Sequence, residues 1–457
     1  MNEATLKQIA AWCGGTVRPE HENVIVKGVS TDSREMKPGF LFVPLIGQRN
    51  DGHNFIRKAI ANGASAALSA KDMDASLPTV RVNDTLEALG VLATNYRQTL
   101  PVKVIGITGS VGKTTTKEMI ASIMQTTYRT VWTEGNHNNH LGLPMTVMEI
   151  NPDTQVAVLE LGMNHFGEMS YLTKICRPDM AVFTNIGTMH IEHLGSREGI
   201  LKAKMEILEG MGPDGVLVLN GDEPLLWNLK GTLPFKTYYF GIDNPGCDFL
   251  ADSIESTEEG VRFHVTAMGK ELNIFVPANG QHTVYNAMAA ISAAMLSGID
   301  PSRTEKALSS FKNSGMRQKI YEKDGYTIIE DCYNAGPESM AAALHVLAER
   351  KTDGRRIAVL GDMLELGSCS MAEHYKVGRL ARDCADLIFA YGSDATRVVT
   401  GAVTGGMDPN RAMYYDDQDQ LIYELKARAK PGDVLLFKGS RGMKMERVLE
   451  LFLKEEN

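Results

Sequence analysis

A glycine-rich segment, Gly106-Ile-Thr-Gly109-Ser-Val-Gly112-Lys113-Thr114-Thr115, carries the strongest chemical signal in the chain. It lies between an apolar run at residues 102–107 and a predicted helix at 113–125. Glycines at such a junction let backbone N–H groups turn towards an anion, and the helix start adds partial positive charge. Lysine followed by a hydroxyl suits the β- and γ-phosphates of ATP and a bound Mg²⁺. The strict G-x-x-x-x-G-K-[ST] pattern needs glycine where Ile107 stands, so we predict a variant ATP-binding loop.

Two further strand ends carry polar side chains. The apolar run at residues 156–159 leads to Glu160, and the run at 180–183 leads to the string Thr184-Asn-Ile-Gly-Thr-Met-His190. Ligands bind at the carboxyl ends of parallel strands, so Glu160 and His190 are candidate Mg²⁺ ligands beside Thr114. A helix predicted near residues 197–208 then offers Lys202 and Lys204, for which a solvated surface position is the ordinary alternative.

Length and composition limit the classes of protein to which this chain can belong. The 457 residues carry a net charge of −9, with 43% hydrophobic and 23% charged side chains. A length prior of about 150 residues per domain predicts about three domains. The acidic balance argues against nucleic-acid binding, and no apolar run reaches the roughly 20 residues that span a bilayer. Six scattered cysteines without a C-x-x-C pair predict reduced thiols in the cytoplasm.

The pattern of apolar runs predicts an α/β protein of three domains. Residues 1–100 read as a small mixed α/β domain, with strands near 24–29 and 40–43 and helices near 55–62 and 85–99. Residues 101–313 read as a central P-loop domain with a parallel sheet, a hairpin within 260–276 and a closing helix at 282–296. Residues 314–457 read as a Rossmann-like doubly wound domain. Its five predicted strands lie at 327–329, 356–360, 387–391, 412–415 and 434–437.

Seven motifs in fixed order resemble the Mur ligase family, the ATP-dependent amide-forming enzymes of bacterial cell-wall precursor synthesis. The resemblance covers essentially the whole chain. It rests on the variant loop, the strand ends L-E-L-G-M-N and T-N-I-G-x-x-H, and four further strings: Glu134-Gly-Asn136-His-Asn138-Asn139-His-Leu-Gly142-Leu-Pro144, Gly280-Gln-His282-Thr-Val-Tyr-Asn286, Gly315-Met-Arg317 and Asp331-Cys-Tyr-Asn334-Ala-Gly-Pro337-Glu-Ser339-Met340.

Two strings near the carboxyl terminus resemble one branch of that family, which adds D-alanyl-D-alanine. They are Leu360-Gly-Asp-Met-Leu-Glu365-Leu-Gly and Lys438-Gly-Ser-Arg441-Gly, whereas the D-N-P-R string of the diaminopimelate-adding branch is absent. The resemblance therefore implies a ligase that uses ATP and two Mg²⁺ ions to join D-alanyl-D-alanine to UDP-N-acetylmuramoyl-tripeptide through an acyl phosphate. It also implies that the third domain closes over ATP. We expect a cytoplasmic monomer.

The resemblance assigns roles to residues of the central and third domains. The implied catalytic residues are Lys113, His190, Lys204 and Arg317, and the implied metal ligands are Thr114, Glu160, His190 and Lys204 in carbamylated form. Carbamylation would turn a cation into an anion that can approach the metal ions. The implied ATP contacts are Thr108, Gly109, Ser110, Val111, Gly112, Lys113, Thr114, Thr115, Asn136, Asn139, Asn286, Arg317 and Asp331.

The remaining roles concern the two other substrates. Matching strings in the first domain imply UDP-substrate contacts at Ser30, Asp32, Ser33, Arg34, Gln48, Arg49, Asp51 and His53. The two arginines suit a diphosphate or a carboxylate, with solvated surface charge as the alternative. Position at the crevice of the third domain suggests D-alanyl-D-alanine contacts at Asn334, Ser339, Lys438 and Arg441.

Two other functions stay open from the sequence. One is a related ligase, either another amino-acid-adding Mur enzyme or one like folylpolyglutamate synthetase. The first-domain strings and L-G-D-M-L-E-L-G argue against it. The other is a P-loop NTPase that works as a switch without covalent chemistry. The absence of N-K-x-D and the pair Glu160 and His190 argue against that.

Overall fold

The structure is a computed structural model that describes residues 1–312 and 317–454. Within those ranges the chain folds into helices packed on mostly parallel sheets, which confirms the predicted α/β class. No helix in the described part is both long and apolar enough to cross a membrane. The proposed boundary near residue 100 stays a prediction, and the one at 313/314 lies outside the described residues.

The first block is built on a small mixed sheet. Its strands follow the order β2-β7-β6-β5-β4, with β2 antiparallel to its neighbour and the others parallel, while β1 pairs with β3. Its elements are β1 (Ala4–Thr5), α1 (Leu6–Cys13), β2 (Thr16–Val17), β3 (Ile25–Val26), β4 (Gly28–Ser30), β5 (Phe40–Phe42), α2 (Ile56–Ala61), β6 (Ala66–Ser69), β7 (Thr79–Arg81) and α3 (Thr85–Gln98).

The central block carries the largest sheet, in the order β16-β15-β14-β13-β12-β11-β8-β10-β9. Strands from β9 to β14 run parallel, and β14, β15 and β16 pair antiparallel. Its elements are β8 (Lys103–Thr108), α4 (Lys113–Met124), β9 (Thr130–Trp132), α5 (Gly142–Glu149), β10 (Val156–Glu160), α6 (Glu168–Cys176), β11 (Met180–Phe183), α7 (Ile191–Leu194), α8 (Arg197–Met205), β12 (Val216–Asn220), α9 (Pro224–Trp227), β13 (Lys236–Gly241), β14 (Phe249–Ser256), β15 (Val261–Ala267), β16 (Lys270–Val276), α10 (Gln281–Leu296) and α11 (Pro301–Ser309).

The third block is a doubly wound sheet in the order β17-β18-β22-β19-β20-β21, parallel except for β17. Its elements are β17 (Lys319–Lys323), β18 (Tyr326–Asp331), α12 (Pro337–Glu349), β19 (Arg356–Gly361), α13 (Ser370–Cys384), β20 (Leu387–Tyr391), α14 (Thr396–Thr404), β21 (Ala412–Tyr415), α15 (Gln418–Arg428), β22 (Val434–Lys438) and α16 (Met445–Phe452).

The five strands predicted in this block are confirmed, and so is the hairpin of β15 and β16. Both hairpin turn residues have left-handed backbone, with φ of 51° at Met268 and 74° at Gly269, which suits a tight two-residue turn. The prediction missed the edge strand β17, whose sequence KIYEK is too polar to stand out as an apolar run. It also missed β9, β13 and β14.

A continuous apolar core joins the first block to the central block. Buried side chains of α3, such as Leu89 and Leu92, belong to the same cluster as Leu143 of α5 and Leu172 of α6. The opposite face of the central sheet is covered by α4 and the alanine-rich α10. The third block has separate cores on the two faces of its own sheet. The first two blocks therefore share one packed interior, whereas the third has its own cores, against one of which Ile191 of α7 packs.

One buried arginine fastens this junction. Arg97, on α3, donates from Nε to the carbonyl of Cys176 (3.0 Å), from Nη1 to that of Leu100 (3.1 Å) and from Nη2 to that of Val102 (3.0 Å). Its guanidinium thus satisfies the end of α6 and the connection that leads into β8. Burial lowers the pKa of Arg97, and Asp179 partly opposes that shift.

We predict that Arg97→Met lowers the free energy of unfolding by about 3 kcal/mol, because three buried carbonyls lose a charged donor. Urea denaturation followed by circular dichroism would measure the change. The matched control is Arg57→Met, since Arg57 is exposed in its pair with Asp74, and the expected change there is below about 0.5 kcal/mol. Equal changes in the two variants would contradict the assigned role.

Candidate active site

The predicted phosphate loop does connect a buried strand to a helix, β8 to α4. Gly109 and Gly112 have φ of 148° and 85°, a conformation that favours glycine. Space is equally restrictive, because a Cβ on Gly109 would lie 1.9 Å from Oγ1 of Thr184 and one on Gly112 would lie 2.3 Å from Oδ1 of Asn286. These two glycines therefore allow both the turn and its close packing.

Residues that follow the neighbouring strand β11 fix the conformation of the loop through hydrogen bonds. The Oδ1 atom of Asn185 accepts from the backbone N–H groups of Ser110 (3.1 Å) and Val111 (2.9 Å). Oγ1 of Thr184 donates to the carbonyl of Val111 (2.6 Å), and the N–H of Gly187 donates to Oγ of Ser110 (2.9 Å). Our sequence prediction gave Asn185 no role, although its place at a strand end beside the loop was a signal.

Lys113 folds back over the loop that precedes it. Its Nζ donates to the carbonyls of Gly109 (2.8 Å) and Ser110 (3.3 Å). Burial lowers the pKa of Lys113, while Glu160 raises it and Arg317 lowers it further. The ammonium group therefore lies among loop carbonyls and within electrostatic reach of residues from both sides of the cleft.

Glu160 ends β10 and is buried beside the loop. Its Oε2 accepts from the hydroxyl of Thr114 and its Oε1 from Nδ2 of Asn138, both at 2.7 Å. Hydroxyl and carboxylate oxygens are hard donors that suit Mg²⁺. Within residues 1–312 and 317–454, no three His, Cys, Asp or Glu side chains gather as a metal site, so phosphate oxygens or water would have to complete one. Sequence reasoning missed Asn138.

The two lysines of α8 have opposite environments. Lys204 is buried, and its Nζ donates to the carbonyl of Gly109 (3.0 Å). Burial, and then the nearby charge of Lys113, lower the pKa of Lys204 well below its ordinary value. Lys202 is exposed, with its ammonium 5.8 Å from the centre of the Phe166 ring. The structure thus brings Lys204, and not Lys202, to the phosphate loop.

His190, which follows β11 in the central block, contacts a residue of the third block. It has left-handed backbone (φ 65°), and its Nδ1 pairs with Oε2 of Glu365, whose own φ is 62°. Burial lowers the pKa of His190; Glu365 opposes the shift, and Lys113 and Lys204 add to it. The carboxylate partner on Nδ1 leaves Nε2 as the other ring nitrogen for a ligand.

Charged residues of the third block lie at the ends of its strands. The Arg317 guanidinium lies 3.9 Å from the centre of the Tyr333 ring. Nζ of the buried Lys438 donates to Oδ2 of Asp331 (2.6 Å) and to the carbonyl of Asn334 (2.9 Å). Lys438 therefore fixes the position of Asp331, one of the residues predicted to contact ATP.

A cavity of about 1050 Å³ joins all three blocks. Predicted residues among its lining are Ser110, Val111, Gly112, Lys113, Thr114, Thr115, Asn139, Glu160, His190, Asn286, Arg317, Asp331, Asn334, Ser339 and Lys438. Residues that the sequence prediction left out include Asn138, Asn185, Phe166, Tyr171 and Tyr333, and the first block contributes Leu86 and Glu87. The cavity thus collects the nucleotide residues and most of those assigned to D-alanyl-D-alanine.

Several predicted residues lie outside that lining. Thr108 and Lys204 are buried, Gly109 accepts from Lys204 through its carbonyl, and Asn136 is exposed. Asn139, by contrast, does line the cavity, and its Oδ1 also accepts from the N–H groups of Leu141 (3.1 Å) and Gly142 (2.9 Å) at the start of α5.

Two residues assigned to D-alanyl-D-alanine have local partners. Oγ of Ser339 accepts from the N–H of Gly336 (3.0 Å) at the start of α12. Arg441 pairs with Glu446 (2.9 Å), and its side chain is 56% exposed outside the cavity. The geometry therefore gives Arg441 less access to a bound dipeptide than Lys438.

The residues predicted to contact the UDP end form two groups in the first block. Asp32 accepts from Arg34 (2.5 Å), and this bond holds the pKa of Asp32 at about 2. Asp51 accepts from Lys71 (2.5 Å) and pairs with the buried His53 (2.6 Å), whose Nε2 accepts from the N–H of Ala70 (3.0 Å). The other members, Ser30, Ser33, Gln48 and Arg49, lie on the same block, and Gln48 and Arg49 are exposed.

Family models match all three blocks. The model described as "Mur ligase family, catalytic domain" matches residues 25–97, "Mur ligase middle domain" matches 107–294, and "Mur ligase, glutamate ligase domain" matches 316–441. The order of these matches agrees with the three blocks of the fold.

Individual relatives agree with the family models. The UDP-N-acetylmuramoyl-tripeptide–D-alanyl-D-alanine ligase of Bacillus subtilis (strain 168) is 42% identical over 460 residues and covers 98% of both chains. A crystal structure of MurF from Acinetobacter baumannii is similar with a TM-score of 0.90, 33% identity and 100% coverage of both chains. MurF ligase from Thermotoga maritima in complex with ADP gives 0.81 at 29% identity, covering 94% of this chain and 98% of that one. The resemblance found in the sequence is confirmed, and the chain belongs to the Mur ligase family.

Proposed function

We propose that this chain is an ATP-dependent ligase that joins D-alanyl-D-alanine to UDP-N-acetylmuramoyl-tripeptide, with release of ADP and phosphate. The observation that carries the proposal is the single cavity in which the phosphate loop, Glu160 and the strand ends of the third block converge. The full-length similarity to a ligase of that name supports the choice of substrates. The product is the UDP-linked pentapeptide used for peptidoglycan synthesis.

The chemistry must make a carboxylate oxygen into a leaving group. In the proposed sequence, an oxygen of the tripeptide's terminal carboxylate attacks the γ-phosphorus of ATP, and the bond to ADP breaks. The amine of D-alanyl-D-alanine then attacks the acyl carbon, phosphate leaves, and the nitrogen loses a proton. Both reacting partners of the first step are anions, so their approach needs fixed positive charge. Lys113, Arg317 and the N–H groups of the phosphate loop supply it.

We propose that Thr114 and Glu160 hold a first Mg²⁺ together with phosphate oxygens. The oxygen set around Glu160 suits the ion, and Asn138 orients the carboxylate by donating to its Oε1. The chemistry that Mg²⁺ supplies when bound is neutralisation of charge on the phosphate oxygens. A second ion would have His190 and a modified Lys204 as its protein ligands.

Lys204 is proposed to act as a carbamate. A neutral amine adds to CO₂, forms an N–C bond and loses one proton, which leaves an anion. Burial and Lys113 lower the pKa of Lys204 and so favour the neutral amine that this step requires. The charge reversal would also remove repulsion between two ammonium groups that share the carbonyl of Gly109.

We propose that the remaining assigned residues bind the ends of the substrates. Asn286 packs against Gly112, and Asp331 lines the cavity, which suits contacts to the nucleoside of ATP. Asn139, which also lines the cavity, and Asn136 are the other two asparagines assigned to ATP. The eight first-block residues would hold the UDP end. Asn334, Ser339, Lys438 and Arg441 would face D-alanyl-D-alanine, with Lys438 the best placed because it lines the cavity.

We further propose that the enzyme works as a monomer in the cytoplasm. One chain supplies every wall of the cavity described above, so the proposed chemistry needs no second copy. The six cysteines are free thiols, which suits a reducing compartment.

A coupled assay of ADP release distinguishes the candidate functions. We expect ADP release that requires both UDP-N-acetylmuramoyl-tripeptide and D-alanyl-D-alanine, with mass spectrometry showing one pentapeptide product per ADP. Release with another amino acid in place of the dipeptide would indicate a related ligase. Release that ignores both acceptor substrates would indicate an NTPase switch.

We predict that Lys113→Ala lowers turnover by at least about 10²-fold, since one preorganised contact in such a site is worth roughly 3 kcal/mol. The variant should still fold, which thermal melting would check. Lys174→Ala is the matched control, because Lys174 is exposed on α6 in a pair with Glu209. Ligase activity of Lys113→Ala near the wild-type level would refute the role of the loop.

We predict that Lys204→Ala also loses turnover and that short carboxylates such as acetate or formate restore part of it by replacing the carbamate. Lys202→Ala is the control two residues away, and its activity should be unchanged because its side chain is exposed. Initial rates with and without added carboxylate would measure both. Full activity of Lys204→Ala without any carboxylate would remove the carbamate from the proposal.

A further inference from the structure

The segment from Thr184 to Thr188 touches two blocks at once. On one side, Asn185 and Gly187 bond to Ser110 and Val111 of the phosphate loop, as described above. On the other side, Thr188 bonds to Glu338, near the start of α12 in the third block. The segment therefore connects the nucleotide site to the third block, which is expected to close over that site.

Glu338 contacts Thr188 through two hydrogen bonds to one carboxylate oxygen. Oε1 of Glu338 accepts from both the backbone N–H (2.9 Å) and the hydroxyl (3.0 Å) of Thr188. A charged acceptor makes hydrogen bonds roughly twice as strong as a neutral one. The other oxygen, Oε2, is buried and has no hydrogen-bond partner. The position in the first turn of α12 favours a negative charge there.

Gly187 is shaped to receive this carboxylate. A Cβ on Gly187 would lie 2.7 Å from Cδ of Glu338, 2.8 Å from Oε2 and 2.9 Å from Oε1, and these are its nearest neighbours. Gly187 is not among the residues with positive φ, so its backbone alone does not demand glycine. The missing side chain therefore serves the approach of Glu338.

We propose that Glu338 is a positioning residue that couples docking of the third block to the shape of the phosphate loop. Glu338 fixes Thr188, and the adjacent Gly187 fixes the hydroxyl of Ser110 (2.9 Å). Docking then holds the loop in the form that receives the phosphates, and undocking releases it. This inference rests on the proposed ligase function and adds a residue that the ligase motifs did not assign.

The first test removes the acceptor. Glu338→Ala should lower kcat for ligation about tenfold, because two donors lose a charged partner, with a change in KM for ATP below about twofold. Small-angle scattering with a non-hydrolysable ATP analogue and UDP-N-acetylmuramoyl-tripeptide should show less compaction than in the wild type. Glu338→Gln keeps one accepting oxygen and should stay within about threefold of wild-type kcat. Glu349→Ala, at the exposed end of the same helix, is the control.

The second test uses the collision predicted at Gly187. Gly187→Ala places a methyl group against the carboxylate and should lower kcat more than Glu338→Ala does. The double variant Gly187→Ala/Glu338→Ala has space for that methyl group, so its kcat should rise back to the level of Glu338→Ala alone. Thermal melting of each variant checks that it is folded.

The outcomes separate the two proposals. Wild-type protein that forms no pentapeptide product would refute the ligase function and this inference with it. Wild-type protein that ligates, with Glu338→Ala equal to it in kcat and compaction, would overturn the inference alone. A double variant with a kcat as low as that of Gly187→Ala would overturn it as well, because the collision would then lie elsewhere.

Discussion

Two lysine side chains, Lys113 and the buried Lys204, share one carbonyl oxygen of the phosphate loop. Nζ of Lys113 and Nζ of Lys204 lie 2.8 Å and 3.0 Å from the carbonyl oxygen of Gly109. Burial lowers the pKa of both lysines because it makes each charge costly, and the charge of Lys113 lowers the pKa of Lys204 further. An anion bound at the loop, or an anion made from Lys204, relieves that cost. The demand for negative charge at this point explains the electrostatics of the whole cavity.

The architecture delivers the other groups to that point from neighbouring strand ends. Strands β10 and β11 flank β8 on either side, so Glu160 and Thr184 arrive beside the phosphate loop without long connections. The third block supplies Arg317, Asp331 and Glu365 from the opposite wall. No single block holds both the lysines and these residues, which is why the relative placement of the blocks matters for the chemistry.

Local signals made the phosphate loop, Glu160 and the main strands predictable from the sequence. Glycine spacing and a strand-to-helix junction are properties of a few adjacent residues, and they sufficed for Lys113 and Thr114. The sequence could not indicate that Asn138 orients Glu160, or that Glu338 contacts Thr188 across 150 positions, because those pairings exist only after the blocks pack.

Exposed strands and side chains were also harder to predict from the sequence. The edge strand β17 has three exposed charged residues and only two half-buried ones, so its hydrophobic signal is slight. Arg441 was chosen by its place after β22; its guanidinium pairs with Glu446, and its role towards the dipeptide stays a prediction. The direction in which an arginine side chain points depends on the backbone turn that follows the strand. The residue type alone does not predict that direction.

The apolar interior shared by the first two blocks has a consequence for substrate selection. Sliding one sheet past the other would open that interior to water, so the distance between the first-block residues proposed to hold the UDP end and the phosphate loop is fixed. A substrate that is bound at its nucleotide end must then extend across this fixed distance to reach the phosphate loop. On the proposed function, the length of the stem peptide then decides whether its terminal carboxylate reaches the γ-phosphate.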